Sequence, residues 1–288
     1  MSKEILAFFD ILKKPLRKKD FEMYRSPLFS DSDPCLSPIL FKGENFYTGI
    51  DQYSARSELR EQLRFSPLYW RRVKFFNFFM QFVPFVKMVC VCNTLAFDAS
   101  KAKSDIDLFI VTKSNRLFTA RLFMTILLHI LGVRRYGSKV SGRFCLSFFV
   151  SCDELDLSKI LINDKDVYMI FWMRSLKLLF GRKTFSDFLE ANKWYLDYFP
   201  EETASHRKYF YESGFATFFR SIFECCLNNP LGDFIEKKLS KWQLERAREK
   251  MGKLSDPGGT VISETMLKFH DKDRRHEIFS EWETTVSS

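Results

Sequence analysis

The chain has 288 residues, 46% hydrophobic and 28% charged, with only 11 Gly and 9 Pro, which excludes a disordered, fibrous or low-complexity polypeptide and leaves one large domain or two modest ones. Its 33 Phe raise the aromatic share to 17%, so the core is built from large rings that bury much area at little rotamer cost. Lys and Arg number 45 against 36 Asp and Glu; the net charge of +9 suits polyanions such as nucleotides, nucleic acid or an anionic membrane surface, and equally a plain solvated basic surface.

Ile5, Leu6, Phe9 and Leu12 recur at helical spacing within residues 2–13, and Pro15 ends that helix. A second helical segment over 16–24 leads through the Ser/Asp/Pro-rich stretch 26–38 to two apolar runs around Gly43, the pattern of a hairpin. Helix, helix and hairpin outline a winged-helix-like module over residues 1–55. Lys13, Lys14, Arg17, Lys18, Lys19 and Arg25 give it a basic face, which makes nucleic acid a candidate partner; docking of its Phe-rich helices on the core is the equal alternative. Residues 52–83 read as a long connecting helix with Arg56, Arg60 and Arg64 along one stripe.

From Phe85 the pattern changes to short apolar runs, FVKMVCVC, DIDLFIVT and RFCLSFFV, with the helix-like RLFTARLFMTILLHIL between the second and third. This predicts strand, loop, strand, helix, strand, with the sheet covered on both faces, and places a core domain over 56–160. Residues 161–250 read as a helical region broken at Pro200 and Pro230, and 251–288 as a tail that opens on LSDPGG and ends loosely. The fold class expected is α+β, a mixed-sheet core between the N-terminal module and a helical C-terminal region.

The seven cysteines (Cys35, Cys90, Cys92, Cys145, Cys152, Cys225, Cys226) are odd in number and show no CxxC spacing, so they read as reduced residues of a cytoplasmic protein. The N-terminus is interrupted by charges and lacks a signal-peptide cleavage site. The most apolar stretch, 75–92, is broken by Asn77, Gln81, Pro84 and Lys87, so no membrane span is expected.

The informative segment is VCVCNTLAFDASKAKSDIDLFIVT, residues 89–112. A strand ends at Asn93-Thr94, ten residues follow, and a second strand opens with Asp105-Ile106-Asp107. Residues two apart in a strand share a face, so the two carboxylates point together, and two carboxylates on one face suit a hard divalent cation together with substrate phosphates. Backbone N–H groups of the turn and the Thr94 hydroxyl are the complementary phosphate contacts. An isolated Asp-x-Asp more often marks solvated acids at a strand entrance.

The order of strand, small polar pair, spacer, Asp-hydrophobic-Asp and apolar strand resembles the nucleotidyltransferase superfamily, the DNA polymerase beta-like fold, whose motif is a Gly-Ser turn followed by Asp-x-Asp. SDIDLFIVTKSNRLFTARL, GRFCLSFFV, FLEANKWYLDYFP and MLKFHDKDRRHEI extend the resemblance over most of the chain from about residue 84. It implies Mg²⁺ on Asp105 and Asp107, the catalytic pair, and an NTP bound near Asn93 and Thr94, with Ser104 and Arg116 completing the nucleotide-binding set. The implied activity is Mg²⁺-dependent transfer of an NMP from an NTP to an unidentified hydroxyl; the alternative is a catalytically degenerate relative that binds nucleotide or nucleic acid in a regulatory role. This chain has Asn93-Thr94 where the family has Gly-Ser, and RFCLSFFV carries no third carboxylate. Asp153 and Glu154, just beyond that strand, read as loop or cap acids. Among lesser candidates, Arg121, Lys101 and Lys103 are possible phosphate contacts or solvated residues. Asn192 and Trp194 read as packing residues, and His129 reads as a core residue. His270, Lys268, Asp271, Arg274, Arg275 and His276 form a charged C-terminal cluster without metal spacing.

Overall fold

A computed structural model describes residues 2–29, 37–199, 212–252, 259–269 and 273–288; Cys35, Pro200, His270, Asp271 and most of the LSDPGG stretch lie outside these. The class is mixed α+β, with a six-stranded mixed sheet and a separate three-stranded sheet. The small sheet has the order β1-β3-β2, from β1 (Leu16–Arg17), β2 (Ile39–Phe41) and β3 (Glu44–Tyr47). The hairpin turns through Lys42 (φ 51°) and Gly43 (φ 80°), two successive left-handed residues whose backbone twist matches that of the flanking strands. The helices α1 (Lys3–Ile11) and α2 (Lys18–Met23) accompany it, and α3 (Gln52–Met80) runs unbroken for 29 residues with Pro67 inside it.

The large sheet has the order β7-β4-β5-β6-β9-β8. Its centre is β4 (Val86–Val91), antiparallel to β5 (Ile106–Thr112), which is parallel to β6 (Phe144–Ser151) through the crossover helix α5 (Leu117–Ile130). A short helix, α4 (Asn93–Ala96), follows β4. Alternate residues of β5 enter opposite cores. Ile106, Leu108 and Ile110 meet α3 and α5, while Phe109 and Val111 meet α1 and α6 (Val167–Ser175). Both faces are covered, which is why the strand reads as a nearly continuous apolar run.

The region expected to be wholly helical contains a strand, β7 (Lys177–Phe180), fully buried and antiparallel to β4. Four residues are too short for a period to show, and the signal lies instead in Gly181 at φ 94°. A Cβ there would stand 2.1 Å from the Lys87 carbonyl oxygen, so only glycine lets the chain turn this close to β4. Beyond it come α7 (Arg182–Ala191), α8 (Gly214–Leu227) and α9 (Pro230–Met251), with Pro230 in the first turn of α9. The buried Glu236 of α9 accepts the Phe118 and Thr119 backbone N–H groups at 2.8 Å each, satisfying free amides at the start of α5.

The C-terminal segment is not a loose tail. The strands β8 (Val261–Ile262) and β9 (Met266–Lys268) extend the sheet beside β6, and α10 (Arg275–Ser287) packs on α1 and α6. Trp282 is buried and donates its indole N–H to the Glu4 carbonyl at 2.9 Å. The N-terminal helices enter the same core, with the Phe8 ring stacked on Phe171 at 4.1 Å. A boundary at residue 55 therefore separates no cores. Of the basic face expected there, Lys14 is buried with its ammonium on the Asp98 carbonyl at 3.0 Å and Arg17 is paired with Asp20 at 3.1 Å, while Lys13, Lys18, Lys19 and Arg25 are exposed. Among the described residues no helix is long and apolar enough to cross a membrane, and the six cysteines among them are free thiols.

Because Trp282 joins the two ends of the chain in one core, Trp282→Ala should cost about 3–5 kcal/mol in chemical denaturation and unfold the molecule in a single transition. Loss of α10 alone, with the rest unfolding as in the wild type, would contradict the shared core.

Candidate functional site

Asp105 precedes β5 and Asp107 is its second residue, so both carboxylates leave the same face of the strand. In the parallel pairing of β5 with β6, Cys145 is the register partner of Asp107. Ligand atoms of Asp105, Asp107 and Cys145 lie within 4.8 Å of one another, and among the described residues no third carboxylate joins them. The strand next to the acid pair thus presents a thiol at this position, which the sequence offered only as one more apolar-run cysteine.

Burial and then the Asp105 charge push the Asp107 carboxyl up to about 7, against hydrogen bonds from Asn93 and Cys145. Burial, reinforced by Asp107 and Asp105, pushes the Cys145 thiol up to about 12, so at neutral pH it keeps its proton. Arg135 donates to Asp105 at 2.8 Å and to the Cys145 sulfur at 3.4 Å. Burial works against the Arg135 charge, but Asp105, Cys145 and Asp107 together more than restore it.

Asn93 takes the left-handed backbone (φ 55°) that a Gly would take at the turn after β4. Its side chain does not hang free. The carbonyl oxygen accepts the Trp172 indole N–H at 2.9 Å and the Tyr168 hydroxyl at 3.3 Å, while the side chain also hydrogen-bonds Asp107. Trp172 and Tyr168 belong to α6, so this helix aims the turn at the acids. Nothing in the spacing of α6 announces that role.

A cavity of about 250 Å³ opens at this point, lined by Asn93, Thr94, Asp107, Tyr168, Lys268 and Arg275 among others. The last two come from the C-terminal charged cluster, carried here by β9 and α10. Lys268 is brought down to about 8, first by burial and then by Arg275. Arg275 is held by Asp166 at 2.9 Å and Asp273 at 2.7 Å. Asn93, Thr94, Asp105 and Asp107 therefore meet in one place.

Other sequence candidates lie elsewhere. Arg116 sits beyond the opposite end of β5, buried under Asp233 of α9 and the Leu227 carbonyl, with its guanidinium 5.3 Å from the Phe85 ring centre. It cannot reach a ligand at Asp107. The Ser104 hydroxyl accepts the Lys101 N–H at 3.0 Å and its carbonyl accepts Gly142 N–H, so it shapes the spacer loop. Lys101 is paired with Glu58. Because β5 and β6 are parallel, Asp153 and Glu154 lie at the far end, on Ser114 and Lys159 respectively. Asn192 is buried, bridging Leu155, Leu157 and Phe188, as a packing residue does. His129 is exposed beside Tyr136 instead of sitting in the core.

The donor set decides which cation fits. Two carboxylates beside an open pocket suit a hard ion that keeps waters and takes phosphate oxygens, while a protonated thiol adds nothing to a Mg²⁺ site. No family model, curated protein or solved structure matches the chain.

A carboxyl raised from 3.8 to about 7 favours the folded state below its unfolded value, and that contribution is lost as pH rises through about 7. Asp107→Asn should therefore stabilise the protein by about 2 kcal/mol near pH 8 and hardly at all near pH 4, read from denaturant midpoints. An equal effect at both pH values would show that Asp107 is not held neutral by its surroundings.

Proposed function

We propose that the chain binds a nucleoside triphosphate with Mg²⁺ at Asp105 and Asp107 and transfers the nucleoside monophosphate to a hydroxyl acceptor, releasing pyrophosphate. The observation that carries this reading is the convergence of Asp107 and the Asn93-Thr94 turn at one cavity, with the Asp105 carboxylate within 4.8 Å of that of Asp107. The resemblance of residues 89–112 to the nucleotidyltransferase motif supports the same reading, as does the arrangement of β4, β5, α5 and β6. A winged-helix-like origin for residues 1–55 belongs to the same proposal.

Asp105 and Asp107 are the residues that would hold the metal, which when bound neutralises phosphate charge and orients the α-phosphorus. The acceptor oxygen bonds to that phosphorus as the bond to the bridging oxygen breaks, and pyrophosphate departs with the electron pair while the hydroxyl proton passes to water. The chain's own groups do the positioning. Asn93, pinned by Trp172 and Tyr168, fixes the turn, Thr94 offers a hydroxyl, and Lys268 and Arg275 line the wall of the cavity in an ion-paired cluster with Asp166 and Asp273.

A second reading, nucleotide binding without transfer, rests on Cys145 and Arg135. The thiol keeps its proton and is no base, and the guanidinium already neutralises Asp105.

Calorimetry with ATP, GTP, CTP and UTP, with and without Mg²⁺, tests the shared core of both readings. Metal-dependent binding of at least one NTP is expected, weakened at least about tenfold in Asp105→Asn/Asp107→Asn. Absence of binding to every NTP would remove both. Pyrophosphate release from the bound NTP in the presence of hydroxyl acceptors then separates them: release supports transfer, and its absence in the wild type with its appearance in Cys145→Asp supports the binder.

A further inference from the structure

A second and larger cavity, about 720 Å³, opens between α5 and α9 and shares Cys145 with the acid cluster. It falls within the ~300–1,000 Å³ of ligand sites. The segment after α5 contributes Arg134, Arg135 and Tyr136, α5 contributes Arg121, and α9 contributes Trp242 and Arg246. No carboxylate lines it. With Arg135 engaged by Asp105, the guanidinium groups of Arg121, Arg134 and Arg246 remain on two sides of one cleft without lining acids, and they attract a ligand carrying several negative charges.

The aromatic groups narrow the ligand class. Trp242 and Tyr136 are 49% and 42% exposed and, unlike the other exposed rings such as Tyr53, Phe75 and Phe218, line this cleft. Arg246 stands 5.8 Å from the Trp242 ring centre, and Lys139 and Arg143 stand 5.3 and 5.8 Å from that of Tyr136. Flat π surfaces alternating with fixed cations match bases alternating with phosphates. An acidic peptide offers the charge without the rings. Arg121 lies deeper, one nitrogen on Gln243 at 2.6 Å, its guanidinium 5.2 Å from the Phe269 ring centre and its Nε buried without a partner among the described residues.

The cleft also communicates with the carboxylates. Arg135 lines it and reaches Asp105, Cys145 lines it and belongs to the acid cluster, and Ser147 lines both cavities. We propose that this cleft binds the end of a single-stranded nucleic acid and presents it to Asp105 and Asp107 as the acceptor. The acceptor role rests on the transfer reading above, whereas the binding does not.

Fluorescence anisotropy with labelled single-stranded oligoribonucleotide and oligodeoxyribonucleotide of mixed sequence, a DNA duplex and polyglutamate tests the inference. Single strands are expected to bind more tightly than duplex or polyglutamate, with affinity falling steeply as salt rises; the two single-stranded arms decide between RNA and DNA. Arg134→Glu/Arg246→Glu should weaken the single-strand complex at least about tenfold and flatten its salt dependence. Trp242→Ala, at an exposed position that leaves the fold intact by circular dichroism, should weaken it by about tenfold. Single-strand binding that none of these substitutions alters, or polyglutamate binding of equal strength, would overturn the proposal. Asp105→Asn/Asp107→Asn separates the two claims. Loss of NTP binding in that variant with oligonucleotide affinity kept supports two distinct subsites, and NTP binding by a wild type that ignores oligonucleotides defeats the cleft alone.

Discussion

Two carboxylates stand at the mouth of a strand that is buried on both faces, and the surrounding structure answers the cost of that placement. Paired acids at the edge of a low-dielectric core repel each other and lose hydration, so each needs compensation. Asp107 obtains it by holding a proton into the neutral range and by hydrogen bonds from Asn93 and Cys145. Asp105 obtains it from Arg135. The divalent cation of the proposed reaction would supply the same compensation to both at once.

The compensation draws on the whole chain. Asn93 is aimed by Trp172 and Tyr168, so the turn after β4 depends on α6, and α6 is held through Phe171 by Phe8 of the first helix. Arg275, at the start of the last helix, is bonded to Asp166, the cap of α6, and so ties the C-terminal segment to the same wall of the cavity. On the opposite side, α9 is anchored to α5 by Glu236 and to the end of β5 through Asp233 and Arg116. Arg116 thus matters to the site by positioning the helix that carries Trp242 and Arg246, at a distance from any ligand.

Much of the centre was legible from sequence because its signals are local. The apolar runs of β4, β5 and β6, the helical spacing of α1, α3 and α5, and the turn at Gly43 all express periods of two or 3.6 residues or a positive φ. The Asp105 and Asp107 pair was legible for the same reason, since alternation alone puts both on one face. β7 was not, because four residues, three of them apolar, carry no period and only the contact of Gly181 with Lys87 explains the turn. The C-terminal strands were missed because two and three residues become strands only when β6 offers an edge to pair with.

The sequence by itself determined the mixed α+β class, the central strand order along the chain and the juxtaposition of two acids, since these follow from side-chain period and backbone stereochemistry. Tertiary structure decided which side chains surround those acids. Register between β5 and β6 put Cys145 beside Asp107, and sheet extension by β9 brought Lys268 to the cavity. Docking of α9 on α5 turned scattered arginines into one cleft. Each is a contact between segments far apart in the chain, fixed by burial and pairing energies that no local pattern encodes.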